Sequence, residues 1–85
     1  MTNDDIARRL REHAAELARG GDNLYRVRAF RQAAMAVLGL TDEVRELVAG
    51  GGPAVLERVP GIGRSLADTI AGLARGEERP QSAAA

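Results

Sequence analysis

The residues best suited to chemistry form one short run, Pro60-Gly61-Ile62-Gly63-Arg64-Ser65. Its two glycines permit positive φ angles and leave backbone amides unshielded by side chains. If a helix begins directly after them, these amides lie at its positive dipole end, where unpaired donors bind anions. Arg64 can add a charge-assisted hydrogen bond to the same anion, and Ser65 offers a hydroxyl. The run therefore predicts a phosphate-binding site.

Apolar residues frame this run at the spacing of two short helices joined by a tight turn. They are Leu56, Val59, Ile62, Leu66 and Ile70. We expect Ile62 to point inward and at least two amides between Gly61 and Gly63 to lack an internal acceptor. A bare Gly-x-Gly would indicate only an interhelical turn. The apolar frame favours a helix-hairpin-helix at Leu56–Ile70 that binds phosphate.

A second candidate surface lies in the stretch 23–41, which holds three arginines and no acidic residue. Its candidate binding residues are Tyr25, Arg26, Arg28, Phe30 and Arg31. Tyr25 and Phe30 are five residues apart and cannot share one narrow helical stripe, so we expect Phe30 in the core and Tyr25 available for stacking. The three arginines are spread around nearly the whole circumference of the helix. At least one should therefore be solvated or paired with Glu12 or Glu16.

Composition limits the possible function classes. The chain has 85 residues, enough for one domain, and no cysteine, which excludes disulfides and thiolate chemistry. All 12 basic residues are arginine and are balanced by 12 acidic residues, so a DNA-binding surface must be a local patch. The single histidine, His13, is expected to be a surface or half-buried residue. No apolar run reaches the ~20 residues of a membrane span. We expect a cytoplasmic protein without membrane contact.

Capping residues and glycines divide the chain into four or five helices and no strand. The predicted helices start at Thr2 or Asn3 and end at Gly20, start at Asp22 or Asn23 and end at Gly39, and cover Asp42–Ala49, Pro53–Arg58 and Arg64–Arg75. The expected buried faces are Ile6, Leu10, Ala14 and Leu17 on the first helix, and Leu24, Val27, Ala34, Val37 and Leu38 on the second. This pattern predicts an all-α fold, a compact bundle of short helices over residues 1–76, followed by a disordered tail over residues 77–85.

Two motifs in this order resemble a known family. The hairpin resembles the helix-hairpin-helix of DNA repair proteins. The stretch Asn23–Ala34, preceded by an Ile-Ala-x-x-Leu helix, is similar to the amino-terminal 8 kDa domain of family X DNA polymerases, typified by DNA polymerase beta. The resemblance covers about Asp4–Gly76 and implies a SAM-like fold that binds DNA phosphates at gaps, nicks or ends. It also implies a repair or replication protein as a partner. Polymerase catalytic domains are absent, so we expect the recognition domain alone, or a piece of a longer protein.

The resemblance also assigns roles to particular positions. Tyr25, Arg26 and Phe30 fall on the basic and aromatic cluster that, with the hairpin, holds a 5′-phosphate in the family. Ser65 and Glu57 stand where the animal enzyme has lysines, which weakens that pocket here. Hairpin carbonyls in the family hold a monovalent cation, Na⁺ or K⁺. The matching residues here are Glu57, Val59 and Ile62.

The polymerase beta branch also removes a sugar remnant through a lysine Schiff base. Thr69 stands at the position of that lysine, and the chain contains no lysine at all. Arginine cannot replace it, because the guanidinium stays protonated and cannot attack an aldehyde. We therefore expect no enzymatic activity. The alternative function is a protein-protein adaptor, because helix-hairpin-helix folds also serve in that role and the net charge is zero.

Overall fold

The computed structural model describes residues 1–76, which form helices and turns without a strand. Helix α1 spans Asn3–Arg19, α2 spans Leu24–Leu38, α3 spans Val44–Gly51 and α4 spans Arg64–Ala74. A 3-10 helix over Pro53–Arg58 lies between α3 and α4. The predicted all-α fold is confirmed. The tail over residues 77–85, for which we predicted disorder, lies outside the described residues.

The first two helices begin at side-chain caps and end at the predicted glycines. Thr2 caps α1 in a reciprocal box with Asp5, in which the Thr2 hydroxyl accepts from the Asp5 amide and the Asp5 carboxylate accepts from the Thr2 amide, each at 3.2 Å. The hydrogen bond from the Thr2 amide lowers the pKa of the Asp5 carboxyl below its usual value. Asn23 caps α2 by accepting from the Tyr25 amide at 2.8 Å. Of the two candidates predicted at each start, Thr2 and Asn23 form the caps.

The third helix begins two residues later than predicted, at Val44 instead of Asp42. The N-cap residue, Glu43, makes no side-chain capping bond. Instead the Val44 amide donates to the side-chain oxygen of Asn3 at 2.8 Å, while the Asn3 side-chain amide donates to the Asp42 carbonyl at 2.9 Å. Asn3 is only 8% exposed. This buried side chain from α1 caps α3 and holds Asp42 outside the helix, a contact that local sequence patterns do not contain.

The core forms where the helices meet and is filled by aliphatic side chains. The largest fully buried ones are Ile6, Leu10, Val27, Val37, Val44, Leu56, Ile70 and Leu73. The predicted face of α1 is buried, although Leu17 only partly. The hairpin contributes Leu56 and Ile70 to this core, so the core positions the turn between them relative to α2.

The buried face of α2 is narrower than predicted. Val27, Ala34 and Val37 are buried as expected, but Leu24 and Leu38 are 71% and 45% exposed. A helix turns by about 100° per residue, which places these two leucines about 120° and about 80° from Phe30, at the centre of the buried stripe. The prediction that they are buried was wrong, because they belong to a second stripe that faces outward.

Candidate nucleic-acid interface

The hairpin reverses the chain direction in a four-residue turn from Val59 to Ile62. The Ile62 amide donates to the Val59 carbonyl at 3.0 Å, and Gly61 has a φ of 93°. Proline at the second position and a positive φ at the third are the features of a type II turn. Ile62 is 4% exposed, which confirms that it points inward. The turn therefore requires glycine at position 61 and an apolar anchor at position 62.

The second glycine of the turn has a different role. Gly63 has φ −84° and ψ 179°, an extended conformation open to any residue, so it does not use the positive φ that glycine permits. The physical reason is that the reversal is complete at Gly61, and Gly63 only begins α4. A Cβ atom added at Gly63 would meet nothing within 4 Å. The absence of a side chain at Gly63 therefore leaves open space in front of the first turn of α4.

Several backbone amides in the turn and at the start of α4 lack internal partners. No side chain caps α4. Among the amides of residues 61–65, only that of Ile62 finds an acceptor within residues 1–76. The prediction that at least two turn amides lack an internal acceptor is confirmed, because Gly61 and Gly63 both do. Together with the amides of Arg64 and Ser65, they form a set of donors at the positive end of the α4 dipole.

A groove of about 530 Å³ separates the first half of α2 from the start of α4. Its lining residues are Arg26, Ala29, Phe30, Gly63, Arg64, Ser65, Leu66 and Thr69. The fold therefore brings together candidates that are more than thirty positions apart in the chain, two from α2 and three from the hairpin. Ala29 and Leu66 were not predicted, because an alanine and a leucine carry no chemical signal in the sequence. Thr69, which the family resemblance had singled out, also lies in this groove.

The two aromatic residues occupy the predicted environments. Phe30 is 5% exposed, and its ring packs edge-on against the His13 ring at a centroid distance of 4.7 Å. Tyr25 is 80% exposed and so is available for stacking. His13 is half-buried, as predicted, and its Nδ1 lies 3.6 Å from a Glu16 carboxylate oxygen. Phe30 thus forms part of the groove floor and of the core at once.

Tyr25 lies on the side of α2 that the hairpin approaches. It shares a stripe at spacings of four, three and four with Ala29, Gln32 and Ala36. Ala29 lines the groove, and a Cβ atom at Gly61 would lie 3.9 Å from both the Ala36 Cβ atom and the Gln32 carbonyl oxygen. The exposed phenol is therefore placed near the end of the groove.

Arg28 and Arg31 do not line the groove. At about 100° per residue, they lie about 160° and about 140° around α2 from Arg26. Both are exposed, and within the described residues neither forms an ion pair. This confirms that at least one α2 arginine is solvated. The structure thus assigns Arg26 to the groove and the other two to the opposite side of the helix.

The hairpin carbonyls proposed for a cation are suited to one in part. Pro60 has no amide to donate to the Glu57 carbonyl, and within residues 1–76 the Glu57 and Ile62 carbonyls receive no hydrogen bond. The Val59 carbonyl accepts one, from Ile62, and keeps a second lone pair. Uncharged carbonyl oxygens are ligands that monovalent cations accept. The unused lone pairs of these carbonyls are therefore of the chemical kind that Na⁺ or K⁺ accepts.

Residues 1–76 contain neither a metal-binding cluster nor a membrane-spanning helix. No cluster of three or more His, Cys, Asp or Glu side chains is arranged to hold a metal ion. No helix is long and apolar enough to cross a membrane.

The fold and the turn define a helix-hairpin-helix domain. Residues 1–78 match the family model described as a helix-hairpin-helix domain, and the chain belongs to that family. Domains of this family generally bind DNA without sequence specificity. Searches of curated proteins and of solved structures gave no match.

Proposed function

We propose that this domain binds DNA through backbone phosphates, preferentially at gaps, nicks or ends, in DNA repair or replication. The observation that carries the proposal is the groove in which Arg26 of α2 faces the uncapped amides at the start of α4. The similarity of Asn23–Ala34 to the amino-terminal domain of family X DNA polymerases supports a preference for interrupted DNA. The domain is proposed to act without catalysis.

Each group in the groove has a distinct part in phosphate binding. The amides of Gly63, Arg64 and Ser65 donate to phosphate oxygens, and the α4 dipole favours the negative charge. The guanidiniums of Arg26 and Arg64 approach the phosphate from the two walls of the groove and form charge-assisted hydrogen bonds. Because all of these contacts go to phosphate, they position DNA without reading its bases.

The exposed Tyr25 ring supplies the contact that would favour interrupted DNA. A base at a gap or an end is unstacked on one side, and an aromatic ring near the phosphate groove can cover that side. In an intact duplex the same base is already stacked. The carbonyls of Glu57, Val59 and Ile62 would hold a monovalent cation, which supplies a positive charge next to the phosphate.

Fluorescence anisotropy with labelled DNA tests this function. Single-stranded, duplex and gapped DNA, the last with and without a 5′-phosphate, are titrated with the protein at several salt concentrations. Neutralisation of three or four phosphates predicts a log–log salt slope of about −3, from roughly 0.7–0.9 per contact. We expect gapped, 5′-phosphorylated DNA to bind most tightly. Equal affinity for gapped and intact duplex would refute the preference, and the absence of salt-dependent binding would favour the adaptor alternative.

We also propose that the domain lacks deoxyribose-phosphate lyase activity. Thr69 lies in the groove, where its hydroxyl donates to the Ser65 carbonyl at 3.1 Å, and a hydroxyl cannot form an imine. Borohydride trapping on an incised abasic substrate should give no efficient covalent adduct. A strong adduct at the terminal amine, formed as fast as with a lysine-bearing relative, would contradict this proposal.

A further inference from the structure

Every large hydrophobic side chain that is exposed within residues 1–76 lies on α2. Three of them share its outward stripe, where Leu24 is 71%, Met35 72% and Leu38 45% exposed. Arg28 and Arg31 lie between them on the same stripe. Exposed apolar patches on soluble domains mark interaction surfaces more often than chance. We call these five residues the outer stripe of α2.

The spacing of the outer stripe is that of a helix-packing seam. The five residues follow each other at intervals of four, three, four and three, which is the heptad pattern of the a and d positions. From Leu24 to Leu38 the stripe is about 21 Å long, at 1.5 Å per residue. A straight seam of this length fits a second helix lying alongside α2. A loop or an irregular segment would contact only a few residues of this seam.

The charge on the outer stripe specifies the chemistry of that second helix. Arg28 and Arg31 have no ion-pair partner in the described residues, and the stretch 23–41 contains no acidic residue. A partner helix with only apolar side chains would bury both guanidiniums without compensation, which is costly. A helix with apolar residues opposite Leu24, Met35 and Leu38 and with Asp or Glu between them would satisfy the whole stripe.

A second copy of this chain does not satisfy the stripe. In a parallel pair of α2 helices, each arginine would face its own copy. In an antiparallel pair centred on the stripe, Arg31 would face Arg31. Like charges opposed in a helix seam are destabilising. The charge pattern thus disfavours self-association and favours a foreign acidic helix.

DNA is also a poorer occupant of the outer stripe. Phosphates would pair with the two arginines but would leave Leu24 and Met35 uncovered. Arg28 and Arg31 also point away from the groove, which Arg26 shares with the start of α4. The two surfaces of α2 are therefore separate, and both can be occupied at once.

We propose that the outer stripe of α2 is the docking site for an acidic amphipathic helix of a partner protein. The apolar side chains provide the buried area of the contact, and the two arginines select the sign of the partner's charge. Docking at this site leaves the groove accessible to DNA. This arrangement would connect the domain to another protein while its groove binds a DNA phosphate.

A pair of designed peptides tests the proposal with the full chain. Both are fluorescein-labelled helical peptides of about 18 residues, long enough to cover the stripe. They carry leucines opposite the apolar residues of the stripe, and either glutamates or lysines opposite the arginines. We expect the glutamate peptide to bind at least about tenfold more tightly than the lysine peptide. Amide chemical shifts should move along residues 24–38 and remain unchanged at residues 63–65.

Charge reversal supplies the decisive variant. Arg28→Glu/Arg31→Glu should bind the glutamate peptide about tenfold or more weakly than the wild type does. The same variant should bind the lysine peptide more tightly than the wild type does. Arg19→Glu/Arg45→Glu, which makes the same charge change at exposed residues outside the stripe, should keep the wild-type preference. Both variants change exposed side chains, so their urea midpoints should stay close to wild type, and this separates lost docking from lost folding.

Three results would overturn the proposal. The first is equal binding of the two peptides, or no reversal of their preference in Arg28→Glu/Arg31→Glu. The second is concentration-dependent dimerisation of the wild-type chain that the same variant abolishes, since the occupant would then be a second copy. The third is a loss of gapped-DNA affinity in Arg28→Glu/Arg31→Glu as large as in Arg26→Ala. That loss would make the outer stripe a DNA surface.

Discussion

The first amides of α3 and α4 lie in opposite environments, one capped by a side chain and the other uncapped. Every helix leaves its first amides without partners inside the helix. At α3, the buried side chain of Asn3 reaches across from α1 and accepts from the Val44 amide at 2.8 Å. At α4, no side chain caps the amides, and Gly63 leaves the space before them open. One helix start is closed by the fold, and the other is left open to solvent.

The difference shows where the fold favours stability and where it leaves room for a ligand. Helices α1 and α2 carry side-chain caps of their own, Thr2 and Asn23. Among α1–α4, only α4 begins without a capping side chain of any origin. A Ser or Asp at position 63 would cap it, since the residue there is already extended. Glycine at this position leaves donors that the proposed phosphate can use.

Removal of the α3 cap should have the largest effect on stability. Asn3→Ala leaves the buried Val44 amide and the Asp42 carbonyl without partners, so the free energy of unfolding should fall by about 2–3 kcal/mol. Urea denaturation measures it. Asn23→Ala, which removes an exposed cap of the same residue type, should cost only about 1 kcal/mol. Equal losses in the two variants would mean that burial of Asn3 contributes nothing.

A side-chain cap at the start of α4 should raise stability and lower DNA affinity. In Gly63→Asp, the carboxylate can cap α4 and raise the free energy of unfolding by about 0.5–1 kcal/mol. The same carboxylate occupies the phosphate position, and DNA binding should weaken by about 2 kcal/mol. Gly63→Ala, whose Cβ atom meets nothing within 4 Å, is the control and should change both quantities little. Unchanged DNA affinity in Gly63→Asp would refute the role of this helix start.

The two groove arginines should contribute less than the helix start but similarly to each other. Arg26→Ala and Arg64→Ala should each weaken binding by about 1–2 kcal/mol on DNA of any sequence. Each should also reduce the salt slope by about 0.7–0.9. Arg28→Ala removes an arginine of α2 that lies outside the groove, and it should have a smaller effect. A silent Arg26→Ala would mean that DNA does not enter the groove.

The two glycines of the hairpin should differ in their effect on stability. Gly61→Ala places a side chain at a φ of 93° and should lower stability by about 1–2 kcal/mol. Gly63→Ala, in an extended conformation, should stay within about 0.5 kcal/mol of wild type. Thermal or urea unfolding of the pair measures the difference. Equal stability of the two variants would contradict the assignment of the turn to Gly61 alone.

Features that depend on short-range sequence patterns could be predicted from the sequence. Glycines at positions 20 and 39 end α1 and α2, and the apolar frame around Ile62 predicts the hairpin. The five-residue separation of Tyr25 and Phe30 indicated that the two rings lie on different sides of α2, and Phe30 is the one in the core. These features depend on helix-ending glycines and on the helical period of apolar residues, both of which can be seen in the sequence alone.

Other features depend on contacts between distant segments. The cap of α3 joins residues 41 positions apart, so no window around α3 contains it. Helix α2 has two stripes with apolar residues, and periodicity alone does not determine which one faces the core. Leu24 and Leu38 were therefore assigned to the core together with Val37, whereas the structure buries Val37 and leaves both leucines exposed. The groove itself exists only because the core fixes the position of α4 relative to α2.

The central claim is that the uncapped amides at the start of α4 bind a DNA phosphate. Proton–nitrogen NMR correlation spectra of the labelled full chain, recorded during titration with gapped DNA carrying a 5′-phosphate, test it most directly. The amides of Gly61, Gly63, Arg64 and Ser65 should show large, saturable shifts, because they lack internal acceptors. The Val44 amide, which is bound to Asn3, should not move. Saturable binding that leaves the amides of residues 63–65 unshifted would contradict the account.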